Sequence, residues 1–88
     1  MQSKILQVYG KVHGVGFRYF VYEAARRYTL KGFVKNVRDG SVYIEAEGEE
    51  FRFEMFQEAC KSGPTRARVD DLKIVDKPFQ GFTSFEIR

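Results

Sequence analysis

The 88-residue sequence has very few residues that bind metal ions or form cross-links: one cysteine, Cys60, and one histidine, His13. A single cysteine cannot form an internal disulfide, and without a Cys/His cluster the chain offers no structural zinc site. The sequence also lacks an apolar run long enough to cross a membrane and a signal-peptide pattern. We therefore expect a cytoplasmic protein with no membrane contact and no metal ion or cofactor.

Proline and tryptophan are also scarce, with two prolines and no tryptophan, whereas nine phenylalanines and five tyrosines supply apolar surface. With 43% hydrophobic residues, the chain can bury enough of this surface to offset the entropy lost on folding. It is too short for two stable cores, so we predict a single domain over residues 1–88, and a monomer as the simplest assembly. The net charge of +3 suits a small anionic ligand or weak nucleic-acid contact, but it requires neither.

The apolar residues follow a strand period in some segments and a helix period in others. Alternation predicts strands over residues 4–12, 32–37, 42–47, 67–75 and 83–87. Helical spacing predicts one helix from residue 17 to about residue 28 and another from about residue 50 to residue 61. This order, β-α-β-β-α-β plus a short C-terminal strand, predicts the α+β class. We expect a ferredoxin-like split βαβ sandwich, with two helices on one face of a largely antiparallel sheet.

Some side chains that could carry chemistry have a structural interpretation instead. Cys60 falls on the apolar stripe of the second predicted helix, beside Met55 and Ala59, so we expect a buried and inert thiol. His13 has no partner at metal-ligand or catalytic spacing and is expected on the surface. A group of acidic residues is expected to be solvated: Glu45, Glu47, Glu49 and Glu50.

A glycine-rich turn separates the first strand from the first helix, in the segment Gly10-Lys11-Val12-His13-Gly14-Val15-Gly16-Phe17-Arg18. Backbone N–H groups in such a turn can converge on an anion, and the helix N-terminus adds partial positive charge. Arg18 supplies a guanidinium whose geometry matches phosphate oxygens. The segment is a candidate phosphate cradle, although an ordinary turn with a solvated arginine fits the same pattern. It matches neither the P-loop pattern nor the dinucleotide fingerprint, whose third glycine is replaced by Tyr19.

The spacing Gly10-x-Val12-x-Gly14-Val15-x-Phe17-Arg18 resembles the signature loop of the acylphosphatase family. Further segments resemble the family in the same order: Lys31–Asn36 with Asp39–Val42, Gly63-Pro64 with Ala67–Val69, and Phe85–Ile87. His13 departs from the glutamine that is common in the family's loop, but no presumed catalytic position is affected. The resemblance implies an enzyme that hydrolyses acyl phosphates to a carboxylate and inorganic phosphate.

The same resemblance implies roles for individual residues. Arg18 matches the arginine that binds the phosphoryl group of the substrate, and Asn36 matches the asparagine that holds the attacking water. The loop would bind the phosphate through the N–H groups of Val15, Gly16, Phe17 and Arg18, with Gly14 shaping the turn. The implied ligands are a small acyl phosphate and inorganic phosphate, the latter as product and competitive inhibitor.

Two other functions fit the same predicted fold. Lys31-Gly32-Phe33 begins like an aromatic RNA-binding motif, but Val34-Lys35-Asn36 does not continue it, so we expect no nucleic-acid partner. A non-enzymatic anion-binding module would need Arg18 but gives no reason for Asn36, which is therefore the residue that distinguishes the two. The acyl group and the proton acceptor for the attacking water stay open at this point.

Overall fold

The computed structural model describes the whole chain, residues 1–88, as five strands and two helices. In chain order they are β1 (Gln2–Lys11), α1 (Phe17–Arg27), β2 (Lys31–Asn36), β3 (Val42–Gly48), α2 (Glu50–Ser62), β4 (Arg68–Asp76) and β5 (Phe85–Ile87). The predicted order of elements is confirmed. Their ends differ from the predicted bounds by at most two residues, because backbone pairing continues or stops independently of the side-chain pattern.

The strands form one sheet in the order β4-β1-β3-β2-β5. β1 pairs antiparallel with β3 and β4, and β2 pairs antiparallel with β3. Only β5 runs parallel to its neighbour, β2, and this pairing brings Ile87 beside Val34. The two helices pack on one face of the sheet and on each other, which confirms the ferredoxin-like split βαβ arrangement. Neither helix has the length and apolar character needed to cross a membrane.

A core of 16 buried residues lies between the helices and the sheet. The alternation of β3 places Val42 and Ile44 in it, while α2 contributes Phe56 and Cys60. Burial raises the pKa of the Cys60 thiol to about 12, so the thiol stays protonated, as predicted. Met55 was expected beside the same stripe, but its side chain is 53% exposed. Each helical residue rotates the side-chain direction by about 100°, so the position before Phe56 faces away from the sheet.

The segment between β4 and β5, residues 77–84, is anchored by a buried carboxylate, and we call it the C-terminal loop. Glu47, on β3, is only 2% exposed, so the prediction of a solvated side chain is wrong. Its Oε1 accepts the N–H groups of Gly81 and Phe82 at 2.9 and 3.0 Å. Its Oε2 accepts the N–H of Gln80 at 2.6 Å and the Ser3 hydroxyl at 2.9 Å.

These four donors decide the charge state of Glu47. Burial acts to raise its pKa, but the N–H groups of Gln80 and Phe82, with the Ser3 hydroxyl and the N–H of Gly81, together hold the pKa below its ordinary value. The carboxylate therefore stays ionised inside the protein. The sequence could not indicate this, because alternation shows which face of a strand a residue lies on but not which distant loop covers that face.

Glu45, two residues earlier on the same face, is also drawn into contacts. Its carboxylate lies 3.1 Å from the ammonium of Lys77 in the C-terminal loop, and the Tyr43 hydroxyl donates to it at 2.8 Å. The expected solvation of Glu45 is therefore wrong as well. Glu49 and Glu50, at the start of α2, are exposed as predicted.

Candidate active site

The turn between β1 and α1, residues 12–16, is shaped by two glycines, and we call it the glycine loop. Gly14 has φ of 70° and Gly16 has φ of 77°, in the left-handed region that other residues rarely adopt. A Cβ at either position would meet no other group within 4 Å, so the backbone conformation, and not a lack of space, requires glycine. Gly16 is the N-cap of α1 and has no side chain to cap the helix.

Helix α1 therefore begins with backbone donors that the protein does not use. Its first hydrogen bond runs from the N–H of Phe20 to the carbonyl of Gly16, at 3.0 Å. The N–H groups of residues 15–19 have no acceptor within the protein, and no acidic residue lies in the first turn. Consecutive free N–H groups at a helix start carry partial positive charge and are suited to bind an anion.

Arg18 lies in the first turn of α1 with an exposed side chain. Its Nη1 donates to the main-chain oxygen of Arg88 at 3.4 Å, which is longer than a typical N–H···O hydrogen bond. The guanidinium forms no ion pair with any aspartate or glutamate side chain of the protein. Most of its donors therefore remain available to an anionic ligand.

Asn36 is the last residue of β2, and its exposed side chain hydrogen-bonds to no other group of the protein. Pairing with Val42 on β3 fixes its backbone. The turn that follows is closed by Asp39, whose Oδ1 accepts the N–H and the hydroxyl of Ser41 at 2.9 and 2.6 Å. These hydrogen bonds from Ser41, the hydroxyl first, hold the pKa of Asp39 below its ordinary value. The amide of Asn36 is thus positioned by its strand while its own donors and acceptor stay free.

His13 connects the glycine loop to this turn. It is exposed, as predicted, but its Nε2 also donates to the carbonyl of Ser41 at 2.8 Å, a contact that the sequence did not indicate. The same carbonyl accepts the N–H of Val37 at 2.9 Å, which closes the turn after Asn36. The hydrogen bond of His13 therefore holds together the two segments that carry the predicted site residues.

One open cavity of about 250 Å³ lies between these segments. Five of the six predicted site residues line it: Gly14, Gly16, Phe17, Arg18 and Asn36. Val15 is the exception, because its side chain packs against the core while its N–H remains without an acceptor. The structure thus brings together residues from the end of β1, the start of α1 and the end of β2.

Three further residues line the cavity and were not predicted: Val12, Tyr19 and Ile87. Tyr19 follows Arg18 directly on the helix, so its position beside the site was readable from the sequence. Ile87 reaches the cavity because β5 lies parallel beside β2, a pairing that no local pattern indicates. No carboxylate or imidazole lines the cavity, and nowhere do three or more His, Cys, Asp and Glu side chains form a group that could hold a metal ion.

Comparison with known proteins identifies relatives with the same fold. The family model of acylphosphatases matches residues 4–87. The chain is 45% identical over 87 residues to an acylphosphatase of Pseudothermotoga lettingae, covering 99% of this chain and 98% of that protein. It is 45% identical over 84 residues to one of Archaeoglobus fulgidus, covering 93% and 94%. The crystal structure of acylphosphatase from Bacillus subtilis matches with a TM-score of 0.98 at 40% identity, covering 100% of this chain and 99% of that chain. Matches of this extent in both sequence and fold show that the chain belongs to the acylphosphatase family.

Proposed function

We propose that this protein hydrolyses small acyl phosphates, by attack of water on phosphorus, to a carboxylate and inorganic phosphate. The observation that carries the proposal is that Arg18, Asn36 and the start of α1 line one cavity. Membership of the acylphosphatase family supports the same reaction. An anion-binding module without catalysis, the alternative suggested by the fold, gives no reason for the free amide of Asn36 in that cavity.

In this proposal, Arg18 and the N–H groups of residues 15–18 bind the oxygens of the phosphoryl group. The guanidinium offers paired donors that match two phosphate oxygens, and its charge strengthens these hydrogen bonds. In a loose phosphoryl-transfer transition state, the negative charge is spread over the non-bridging oxygens. Donors that are already fixed by the loop and the helix stabilise that charge without rearranging. The leaving carboxylate is a weak base and needs no acid to protonate it.

Asn36 orients the attacking water. Its amide cannot remove a proton at neutral pH, but it can both donate to and accept from a water molecule. Its side chain is free for this role because the turn after β2 is closed by Asp39 and Ser41. Since no carboxylate or imidazole lines the cavity, a non-bridging oxygen of the substrate itself accepts the proton of the water.

The structure argues against the RNA-binding alternative, because the aromatic residue of its motif is covered. Phe33, the aromatic residue of the motif-like string Lys31-Gly32-Phe33, is only 7% exposed. The guanidinium of Arg88 lies 4.1 Å from the centre of its ring, and the ring of Phe82 packs edge-on at 5.9 Å. A ring covered in this way has no free face on which a base could stack.

The decisive experiment is the release of inorganic phosphate from benzoyl phosphate, measured with and without EDTA. We expect turnover that EDTA leaves unchanged, because the proposed mechanism assigns the phosphoryl charge to Arg18 and to backbone N–H groups. p-Nitrophenyl phosphate is the matched control substrate, and it should be cleaved poorly because no carboxyl or imidazole group lines the cavity to protonate its more basic leaving group. Equal kcat/KM for the two substrates, or a rate that returns only with magnesium, would refute the mechanism.

Inorganic phosphate should act as a competitive inhibitor, since it is the product that the cavity is proposed to hold. Titration followed by amide NMR should shift the resonances of Val15, Gly16, Phe17 and Arg18 most. Shifts concentrated on α2 would instead place the anion site elsewhere on the protein.

A further inference from the structure

The cavity that holds Arg18 and Asn36 has apolar walls as well as polar ones. Two of its apolar residues, Val12 and Phe17, are 1% exposed each and belong to the core. The other two, Tyr19 and Ile87, are 61% and 42% exposed. The free apolar surface of the cavity therefore comes from Tyr19 and Ile87, and the proposed phosphate chemistry uses neither.

Both side chains belong to residues whose backbone is close to Arg18, one through the chain and the other through a hydrogen bond. Tyr19 is the next residue of α1, and its ring packs against that of Tyr22 with centroids 6.2 Å apart and planes at 29°. Ile87 precedes Arg88, whose main-chain oxygen accepts the hydrogen bond from Arg18. The backbone of Ile87 is in turn fixed by parallel pairing with Val34. Both apolar groups are thus held by secondary structure beside the guanidinium.

We propose that Tyr19 and Ile87 contact the acyl group of the substrate and favour acyl phosphates whose acyl group is flat and apolar. This inference rests on the proposed hydrolysis of acyl phosphates. In such a substrate only one bridging oxygen separates phosphorus from the acyl carbon, so an acyl group must lie next to a phosphoryl group bound at Arg18. The apolar surface available at that distance belongs to Tyr19 and Ile87.

The chemistry of the two side chains selects the class of acyl group. An aromatic acyl group gains from packing on the tyrosine ring and from removing the exposed isoleucine from water. A small acyl group such as acetyl reaches little of this surface, and a carbamoyl group would bring polar atoms against it. Tyr19 and Ile87 are therefore specificity-determining residues, whereas Arg18 and Asn36 carry the reaction.

The test is the ratio of kcat/KM for benzoyl phosphate to that for acetyl phosphate in Tyr19→Ala, Tyr19→Phe and Ile87→Ala. Phe79→Ala is the matched control, because Phe79 is 60% exposed but does not line the cavity. We expect Tyr19→Ala to lower kcat/KM by about tenfold for benzoyl phosphate and by about twofold for acetyl phosphate. Tyr19→Phe should keep the parent ratio, because it keeps the ring, and Ile87→Ala should lower the ratio by about threefold.

Phosphate inhibition separates specificity from a structural role. Phosphate has no acyl group, so its inhibition constant should stay within about twofold of the parent in all of these variants. An unchanged ratio in both Tyr19→Ala and Ile87→Ala, or a parallel loss for both substrates together with weaker phosphate inhibition, would overturn the inference. Failure of the parent protein to hydrolyse either substrate would instead overturn the proposed function, so the two failures are distinguishable.

Discussion

The C-terminal loop and the glycine loop both present consecutive backbone N–H groups, but the protein treats them differently. In the C-terminal loop, the N–H groups of Gln80, Gly81 and Phe82 all donate to the carboxylate of Glu47, an anion from within the chain. In the glycine loop and the first turn of α1, the N–H groups of residues 15–19 have no acceptor within the chain. The same donor chemistry serves the fold at one loop and is left for a ligand at the other.

The difference shows how a small protein separates stability from function. The carboxylate of Glu47 is buried, accepts four hydrogen bonds and fixes the segment that leads into β5. The guanidinium of Arg18 is exposed and has one long hydrogen bond. Removing the first should therefore cost stability, whereas removing the second should cost activity and leave the fold intact.

The largest expected effect comes from removing the charge at the glycine loop. Arg18→Ala should lower kcat/KM for benzoyl phosphate by about a thousandfold or more and weaken inhibition by phosphate, because one group serves both ground state and transition state. Arg18→Lys should restore little, since the ammonium lacks the planar fork. The melting temperature should stay near that of the parent. Arg27→Ala, at the exposed end of α1, is the matched control and should leave the rate unchanged.

The next effect separates catalysis from binding inside the same cavity. Asn36→Ala should lower kcat by about a hundredfold while the inhibition constant of phosphate changes only a few-fold, because Asn36 is assigned to the water and not to the phosphate. Its side chain hydrogen-bonds to no other group of the protein, so thermal stability should hardly change. If stability and phosphate affinity fall together with kcat, Asn36 braces the scaffold and the water-positioning role is wrong.

The helices and strands could be predicted from local sequence patterns, but the long-range contacts of Glu47 could not. Alternation in β3 and helical spacing in α1 are repeated over several residues, so they indicated the elements and most of the core. The burial of Glu47 was not predicted because three of its four hydrogen-bond donors are 33 to 35 residues further along the chain and the fourth, Ser3, is 44 residues earlier. Its burial depends on where the C-terminal loop folds back, which neither β3 nor its neighbours in sequence determine.

The candidate site also contains residues that local sequence indicated and residues that it did not. The glycines and Arg18 stand within one short segment, so the sequence alone indicated an anion-binding turn. Asn36 had no such local signal and was assigned through the resemblance to acylphosphatases. The link between His13 and Ser41 spans 28 residues, and Ile87 reaches the cavity through a parallel strand pairing. Contacts of this kind arise from the assembled sheet and are not encoded in any single segment.

The role of Glu47 in holding the C-terminal loop is tested by replacing its carboxylate with a neutral amide. Glu47→Gln keeps the shape of the side chain but replaces one oxygen by an NH₂ group that cannot accept the N–H groups of the C-terminal loop. We expect the free energy of unfolding to fall by about 2 kcal/mol, the range for losing hydrogen bonds to a buried charged group. Urea denaturation at neutral pH measures it. Glu49→Gln, at an exposed position, should change stability very little, and equal losses in both variants would argue against the special role of Glu47.

The contribution of Glu47 should also be visible in how the stability of the protein depends on pH. Because the folded pKa of Glu47 is lowered, the folded protein binds fewer protons than the unfolded chain, whose glutamates have a pKa of about 4.3. The contribution of Glu47 is therefore complete above that pH and is lost as the pH falls through the lower folded pKa. Urea denaturation between about pH 6 and pH 3 should show a smaller loss of stability on acidification in Glu47→Gln than in the parent. Parallel curves for the two proteins would show that Glu47 does not titrate differently on folding.

The smallest expected effect concerns the hydrogen bond that joins the glycine loop to the turn after β2. His13 donates to the carbonyl of Ser41 at 2.8 Å, and a neutral hydrogen bond of this kind contributes roughly 1 kcal/mol. If that energy holds Arg18 and Asn36 in register, His13→Ala should lower kcat/KM by about fivefold.

Glutamine also has an N–H donor, so His13→Gln should recover most of the loss. Lys11→Ala, at the exposed end of β1, is the control for an unrelated change nearby. Equal activity in the alanine and glutamine variants would mean that the two segments are held in place without this hydrogen bond. Recovery by glutamine but not by alanine would show that the glycine loop is held in place by this one hydrogen bond to the turn after β2.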